Sequence, residues 1–123
     1  EVAKLTQTGI VLGTPEFMSP EQIRGKPLDG RSDIYAIAVL AFEMFTGQLP
    51  FTGKNAQETM LARLRGEPVA IRHVREDLPQ KLEALLSRAL AVQPEDRPGS
   101  MDEFAYAFEA VTQGGVFARL FGR

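Results

Sequence analysis

The stretch SDIYAIAVLAFEMFTG, residues 32–47, decides how this chain is read. Ile34, Tyr35, Ile37, Val39, Leu40, Phe42, Met44 and Phe45 fall on every side of a 3.6-residue period. A helix here is apolar all round and demands burial all round. Ser32 is the expected N-cap, Asp33 suits the first turn, and Gly47 takes the left-handed conformation that ends a helix. Glu43 interrupts the apolar run, which is shorter than the ~20 residues that cross a membrane, so it reads as a buried core helix.

Three amphipathic helices follow. Asn55-Ala56-Gln57-Glu58 is a capping-box pattern opening a helix with the stripe Met60, Leu61 and Leu64, closed by Gly66 and Pro68. Asp77 and Pro79 open the next, with Leu78, Leu82, Leu85, Leu86, Ala89 and Leu90 on one face and Pro94 just past its end. Ser100-Met101-Asp102-Glu103 is a second capping box, leading into Phe104, Ala107, Phe108 and Val111 at spacings of three and four. Gly114-Gly115 stops that helix. On the other side, Glu1 to Arg31 has no sustained helical period. Its glycines and prolines make it an ordered loop with at most a short helix, or else a frayed terminus. Residues 112–123 read as a linker in preference to a helical extension or a surface-binding segment. No strand-rich region and no repeat occurs, so the expected class is mainly α.

Composition removes several functions. A chain of 123 residues is one domain or part of one. A net charge of -2 gives no nucleic-acid surface. The absence of cysteine excludes disulfides, thiolate metal sites and cysteine nucleophiles, and suits a reducing compartment. His73 is the only histidine, so a histidine metal cluster is excluded, and it reads as a loop or surface residue. No secretory or transmembrane segment is visible, and a start without methionine suggests a fragment.

Four motifs then occur in one order. Gly13-Thr14-Pro15-Glu16-Phe17-Met18-Ser19-Pro20-Glu21 resembles the end of a protein kinase activation segment, with Ser19 where the family's Ala-Pro-Glu motif has alanine. Asp33-Ile34-Tyr35-Ala36-Ile37-Ala38 resembles the start of the buried helix of the kinase C-terminal lobe, with Ala38 where glycine is usual. Leu49-Pro50-Phe51 matches the loop after that helix, and Glu95-Asp96-Arg97-Pro98 the segment with the family's late arginine. The Gly13-Thr14 pair is similar to serine/threonine kinases. Thr6-Gln7-Thr8 and Pro50-Phe51-Thr52-Gly53 look like bacterial membrane-anchored ones.

The resemblance implies the C-terminal helical part of the two-lobed, α+β protein-kinase-like fold. Residues 1–111 are then a partial kinase domain, with the activation segment at 1–21 and the helical lobe at 22–111. It implies that Gly13, Thr14 and Pro15 receive the substrate, with Thr14 a supporting contact to the catalytic loop. A plain Gly-Thr-Pro turn is the alternative. It implies that Thr6 and Thr8 are phosphorylated, each phosphate adding about two negative charges, against the alternative of two solvated threonines. It pairs Glu21 with Arg97 in a buried ion pair, where the alternative is two separate surface charges. It gives Asp33 the task of accepting catalytic-loop amides, compatible with its place in a first turn.

The family's chemistry needs a glycine-rich loop, a lysine–glutamate pair, a catalytic aspartate and asparagine, and a metal-binding aspartate. No Gly-x-Gly-x-x-Gly, His-Arg-Asp or Asp-Phe-Gly occurs here. The resemblance therefore assigns ATP and Mg2+ to a parent transferase, with no catalytic residue, metal or nucleotide in this segment, which is expected to be inactive alone. The implied partners are a protein substrate and the missing N-terminal part of the kinase domain. The implied location is cytoplasmic, on a parent that is soluble or membrane-anchored. Rival readings are a pseudokinase remnant that only binds partners, and an unrelated helical interaction domain. Alone, the segment is expected to expose an apolar patch along the 34–45 helix.

Overall fold

The computed structural model describes residues 15–113. Thr6, Thr8, Gly13, Thr14, Gly114-Gly115 and the segment 116–123 lie outside them. The described residues form six helices and two 3-10 turns and contain no strand, as expected of a mainly α chain. The helices are α1 (Pro20–Ile23), α2 (Gly30–Thr46), α3 (Ala56–Arg65), α4 (Ile71–Val74), α5 (Gln80–Ala89) and α6 (Met101–Thr112). The turns are Pro15–Phe17 and Pro94–Asp96.

The apolar run is α2, but it starts two residues before Ser32. Its N-cap is Asp29, whose carboxylate accepts from the Arg31 amide at 2.9 Å. An aspartate carboxylate, with two acceptor oxygens, is as good a cap as a serine hydroxyl. Ser32 is thereby moved inside the first turn, where its hydroxyl is free to bond elsewhere. Gly47 closes the helix at φ 73, its amide donating to the Glu43 carbonyl at 2.7 Å.

The core forms where α2 meets α5 and α6. Ile34, Tyr35, Ala38, Val39 and Phe42 of α2 pack with Leu82, Leu86 and Ala89 of α5, with Leu78 and Leu90 beside it, and with Phe104 of α6. Phe108 stacks between Phe45, at 6.2 Å, and Phe104, at 6.0 Å. Each such buried large side chain contributes ~1.5–3 kcal/mol. The stripes read for α5 and α6 are the packed faces. Burial of α2 is not complete, however: Leu40 is 45% and Met44 76% exposed. Asp33, Ile37, Leu40 and Met44 recur at spacings of three and four and so share one face. Its outer part is left open among the described residues.

Three local expectations are corrected. The stripe of α3 is not a core stripe: Leu61 is 45% exposed, Met60 and Leu64 are half-buried, and the buried side chain of this helix is Arg63. The caps at Asn55 and Ser100 accept from the amides of Glu58 and Glu103, as read, but the returning carboxylates take the amides of Lys54 and Gly99, one residue earlier than in a capping box. Asp77 does not cap α5; its carboxylate pairs with Arg75 at 2.5 Å. His73 is exposed on the short helix α4, in line with the surface reading. Helix α6 ends at Thr112, two residues before the glycine pair expected to stop it.

Gly53 explains how the loop after α2 reaches α3. A Cβ there would stand 2.6 Å from the Glu58 Cβ and 2.7 Å from the Thr59 amide nitrogen, so only glycine allows this approach. The open face of α2 generates a prediction. The 123-residue chain alone is expected to bind a hydrophobic dye, and Met44→Lys with Leu40→Lys to abolish most of that binding. A dye-silent wild-type chain with a sharp cooperative melt would contradict it.

Candidate functional site

The segment Pro15–Ile23 is built as a turn, a cap and one helical turn. After the 3-10 turn Pro15–Phe17, Ser19 caps α1. The Gln22 amide donates to Ser19 Oγ at 3.3 Å, and the Ser19 amide donates to Gln22 Oε1 at 2.8 Å. This is a complete capping box, and Pro20 at the first helical position suits it. The pattern Ser-x-x-Gln was available in the sequence, but a single turn of helix gives no hydrophobic period to accompany it.

Glu21 of α1 and Arg97, 76 residues later, meet in the interior. Arg97 Nη1 donates to Glu21 Oε2 at 2.7 Å and Nη2 to Oε1 at 2.9 Å, a bidentate fork. Arg97 Nε donates to the Ala91 carbonyl at 2.8 Å, Nη1 also to that of Arg31 at 3.0 Å, and Nη2 also to that of Val92 at 3.1 Å. All five donors of the guanidinium are used. Ser32 Oγ completes the carboxylate, donating to Glu21 Oε2 at 2.6 Å. Burial pushes the Glu21 carboxyl up, but the bonds from Arg97 and Ser32 outweigh it and hold the group below its ordinary value.

Asp33, one residue on, is 0% exposed, and neither carboxylate oxygen has a hydrogen-bond partner among the described residues. A buried carboxylate without donors is costly.

Behind the segment runs a stack of four side chains. Arg97 lies over Tyr35, its guanidinium carbon 4.8 Å from the ring centroid. Tyr35 stacks on Phe51 at 6.4 Å with planes 7° apart. Arg63 of α3 lies 5.9 Å from the Phe51 centroid, and its Nη2 donates to the Glu16 carbonyl. Cation–π contacts reach ~2 kcal/mol when desolvated. Burial pushes the Arg63 guanidinium down, opposed by Tyr35 and Glu16. Burial also raises the Tyr35 hydroxyl, which has no partner among the described residues. An open recess of about 300 Å³ lies beside this stack, lined by Glu16, Leu49, Phe51, Asn55, Ala56 and Thr59.

Of the residues singled out in the sequence, the structure brings Glu21 and Arg97 together and sets Asp33 one residue beyond their partner Ser32. Pro15 begins the turn leading to them. Gly13, Thr14, Thr6 and Thr8 lie outside the described residues. Arg63 and Ser32 were not foreseen as partners of this segment. An arginine inside an amphipathic pattern reads as solvated, and a serine two residues into a helix reads as its cap.

Comparison with known proteins places this geometry. Residues 2–109 match the family described as protein kinase domain. The chain is 44% identical over 104 residues to the tyrosine-protein kinase MasK of Myxococcus xanthus, covering 85% of this chain and 16% of that protein. It is 43% identical over 109 residues to the serine/threonine-protein kinase pkn3 of Myxococcus xanthus (87% and 20%). It is 35% identical over 111 residues to the serine/threonine-protein kinase PknL of Mycobacterium tuberculosis (90% and 28%). The chain therefore spans less than a third of the length of each of these relatives.

The lowered Glu21 carboxyl fixes a pH dependence. Its stabilisation is fully present above the ordinary value of 4.5 and is lost as acid protonates the folded-state carboxylate at lower pH. Thermal melts from pH 7 to pH 3 are expected to fall below that value in the wild type. In Glu21→Gln they are expected to start lower at neutral pH and to fall less. Parallel curves for the two proteins would refute the assignment.

Proposed function

Because the chain belongs to the protein kinase domain family, we propose that it is the activation-segment and helical-lobe portion of an enzyme that transfers the γ-phosphoryl group of ATP to serine and threonine hydroxyls of proteins. The observation that carries this reading is Asp33. A wholly buried carboxylate with two unpartnered oxygens, on the same face of α2 as the exposed Leu40 and Met44, calls for donors from chain that packs there. The catalytic loop of a kinase, running over this helix, supplies backbone amides of that kind.

In this reading each residue acts on position. Glu21 and Arg97 hold the end of the activation segment against the helical lobe. Gly13, Thr14 and Pro15 shape the loop that receives the substrate residue beside its acceptor hydroxyl, and Thr14 meets the catalytic loop. Phosphates on Thr6 and Thr8 order the loop by pairing with arginine outside this chain. Residues 1–111 belong to the kinase domain and 112–123 to a linker. ATP supplies the transferred group, and magnesium neutralises charge on its phosphates. Their ligands are assigned to other parts of the domain, those that carry the family's glycine-rich loop, His-Arg-Asp and Asp-Phe-Gly motifs. No helix among them is long and apolar enough to cross a membrane. We assign the catalytic domain to the cytoplasm, on a parent protein with or without an anchor.

The name of the Myxococcus relative MasK favours a second acceptor, tyrosine. The Gly13-Thr14 pair favours serine and threonine, the reading adopted here.

The test uses the intact protein with labelled ATP and phosphoamino-acid analysis. Label on phosphoserine and phosphothreonine is expected, and label on phosphotyrosine would select the second acceptor. Asp33→Asn is expected to lower kcat on the order of 10-fold or more while the fold persists. The residues before Thr6 are expected to carry Asp-Phe-Gly within ~30 positions, preceded by His-Arg-Asp. No transfer, with those acids replaced, would make the protein a partner-binding pseudokinase.

A further inference from the structure

Arg63 and Arg97 are the two largest wholly buried side chains among the described residues. Arg97 is explained by its five acceptors. Arg63 is not: one bond reaches the Glu16 carbonyl, while Nε and Nη1 have no hydrogen-bond partner among the described residues. It is also the one buried side chain of α3. A guanidinium withdrawn from water for a single bond is a costly way to fill space, and an apolar side chain of similar length would fill it more cheaply.

What Arg63 does reach is informative. Its guanidinium lies on Phe51, Phe51 stacks on Tyr35, and Tyr35 carries Arg97. The two arginines thus close the opposite ends of one aromatic stack. Each also holds one end of the same short segment: Arg63 takes the carbonyl of Glu16, and Arg97 the carboxylate of Glu21. Glu16 and Phe51, both touched by Arg63, line the recess between the 15–17 turn and α3.

We infer that Arg63 is a positioning residue, the second anchor of the substrate-receiving segment, which fixes the turn Pro15–Phe17 against α3 as Arg97 fixes α1 against the helical core. Anchoring follows from the geometry alone; its effect on substrate rests on the kinase function proposed above. The backbone of Glu16 leads directly out of Gly13-Thr14-Pro15, so a shift at its carbonyl displaces the loop that receives substrate. The catalytic groups themselves are untouched, so the loss falls on peptide binding and not on nucleotide binding.

Arg63→Met and Arg63→Lys in the intact protein separate the possibilities. Methionine keeps length and apolar contact but removes every donor and the charge; lysine keeps the charge over Phe51. Arg63→Met is expected to raise amide exchange at Phe17 and Met18 ~10-fold or more, with Leu85 and Leu86 of α5 unchanged. With a synthetic peptide bearing one acceptor threonine, peptide KM is expected to rise ~5-fold or more while the KM for ATP stays within about 2-fold. Lysine recovers part of both effects. Unchanged exchange at Phe17 and Met18 overturns the inference. So does an equal rise across α5 and α6, which marks Arg63 as general packing. If Arg63→Met does not fold, the lysine variant decides: a local rise at Phe17 and Met18 supports anchoring, and none refutes it. Raised exchange with an unmoved peptide KM overturns the positioning of substrate. If the wild-type protein transfers no phosphate, the kinase reading fails while the exchange result still decides the anchor.

Discussion

The guanidinium of Arg97 is the constraint on which the rest depends. Burying a charge costs several kcal/mol per ion unless geometry and hydrogen bonding compensate. Here all five donors are matched, by a carboxylate from α1 and by carbonyls at Arg31 in α2 and at Ala91 and Val92 after α5. Two of these parts, α2 and the residues after α5, already meet in the apolar core, and the Glu21 carboxylate brings α1 to them. With that contact made, α1 has one position on the helical core. The face of Tyr35 beneath the same guanidinium ties that position to the packing of α2.

Helix α2 serves two environments. One side is closed by α5 and α6 and supplies most of the apolar core. The face running through Asp33, Ile37, Leu40 and Met44 combines an unpartnered carboxylate with exposed apolar side chains. A surface of that composition is unfavourable in water and favourable beneath another layer of chain with amides to donate. This gives a physical reason for a central helix to be apolar on nearly every side.

Much of the fold was legible because it rests on periodicity. The leucines of α5 and the phenylalanines of α6 stand at spacings of three and four, and burial follows that pattern. Glycine at 47 and 66 reads as a helix end, and both adopt positive φ. Where two residues compete for one cap, the pattern is silent: Asp29 and Ser32 are both good caps, and Ser32 is withheld because the Glu21 carboxylate needs a donor. The Glu21–Arg97 pair has no local signal at all, since its partners are 76 residues apart, and motif order alone suggested it. Arg63 lay beyond any such reading. Its burial depends on Phe51 and the Glu16 carbonyl, which are distant from it in sequence and meet it only in the folded chain.

A double-mutant cycle across the buried pair tests the central claim most directly. Glu21→Gln, Arg97→Met and the double variant are compared by chemical denaturation of the intact protein. If Arg97 holds the 15–23 segment through Glu21, each single change costs on the order of 3–5 kcal/mol and the double costs much less than their sum. Additive losses within about 0.5 kcal/mol would mean that the two residues stabilise the protein independently, and that the segment is not held by this pair.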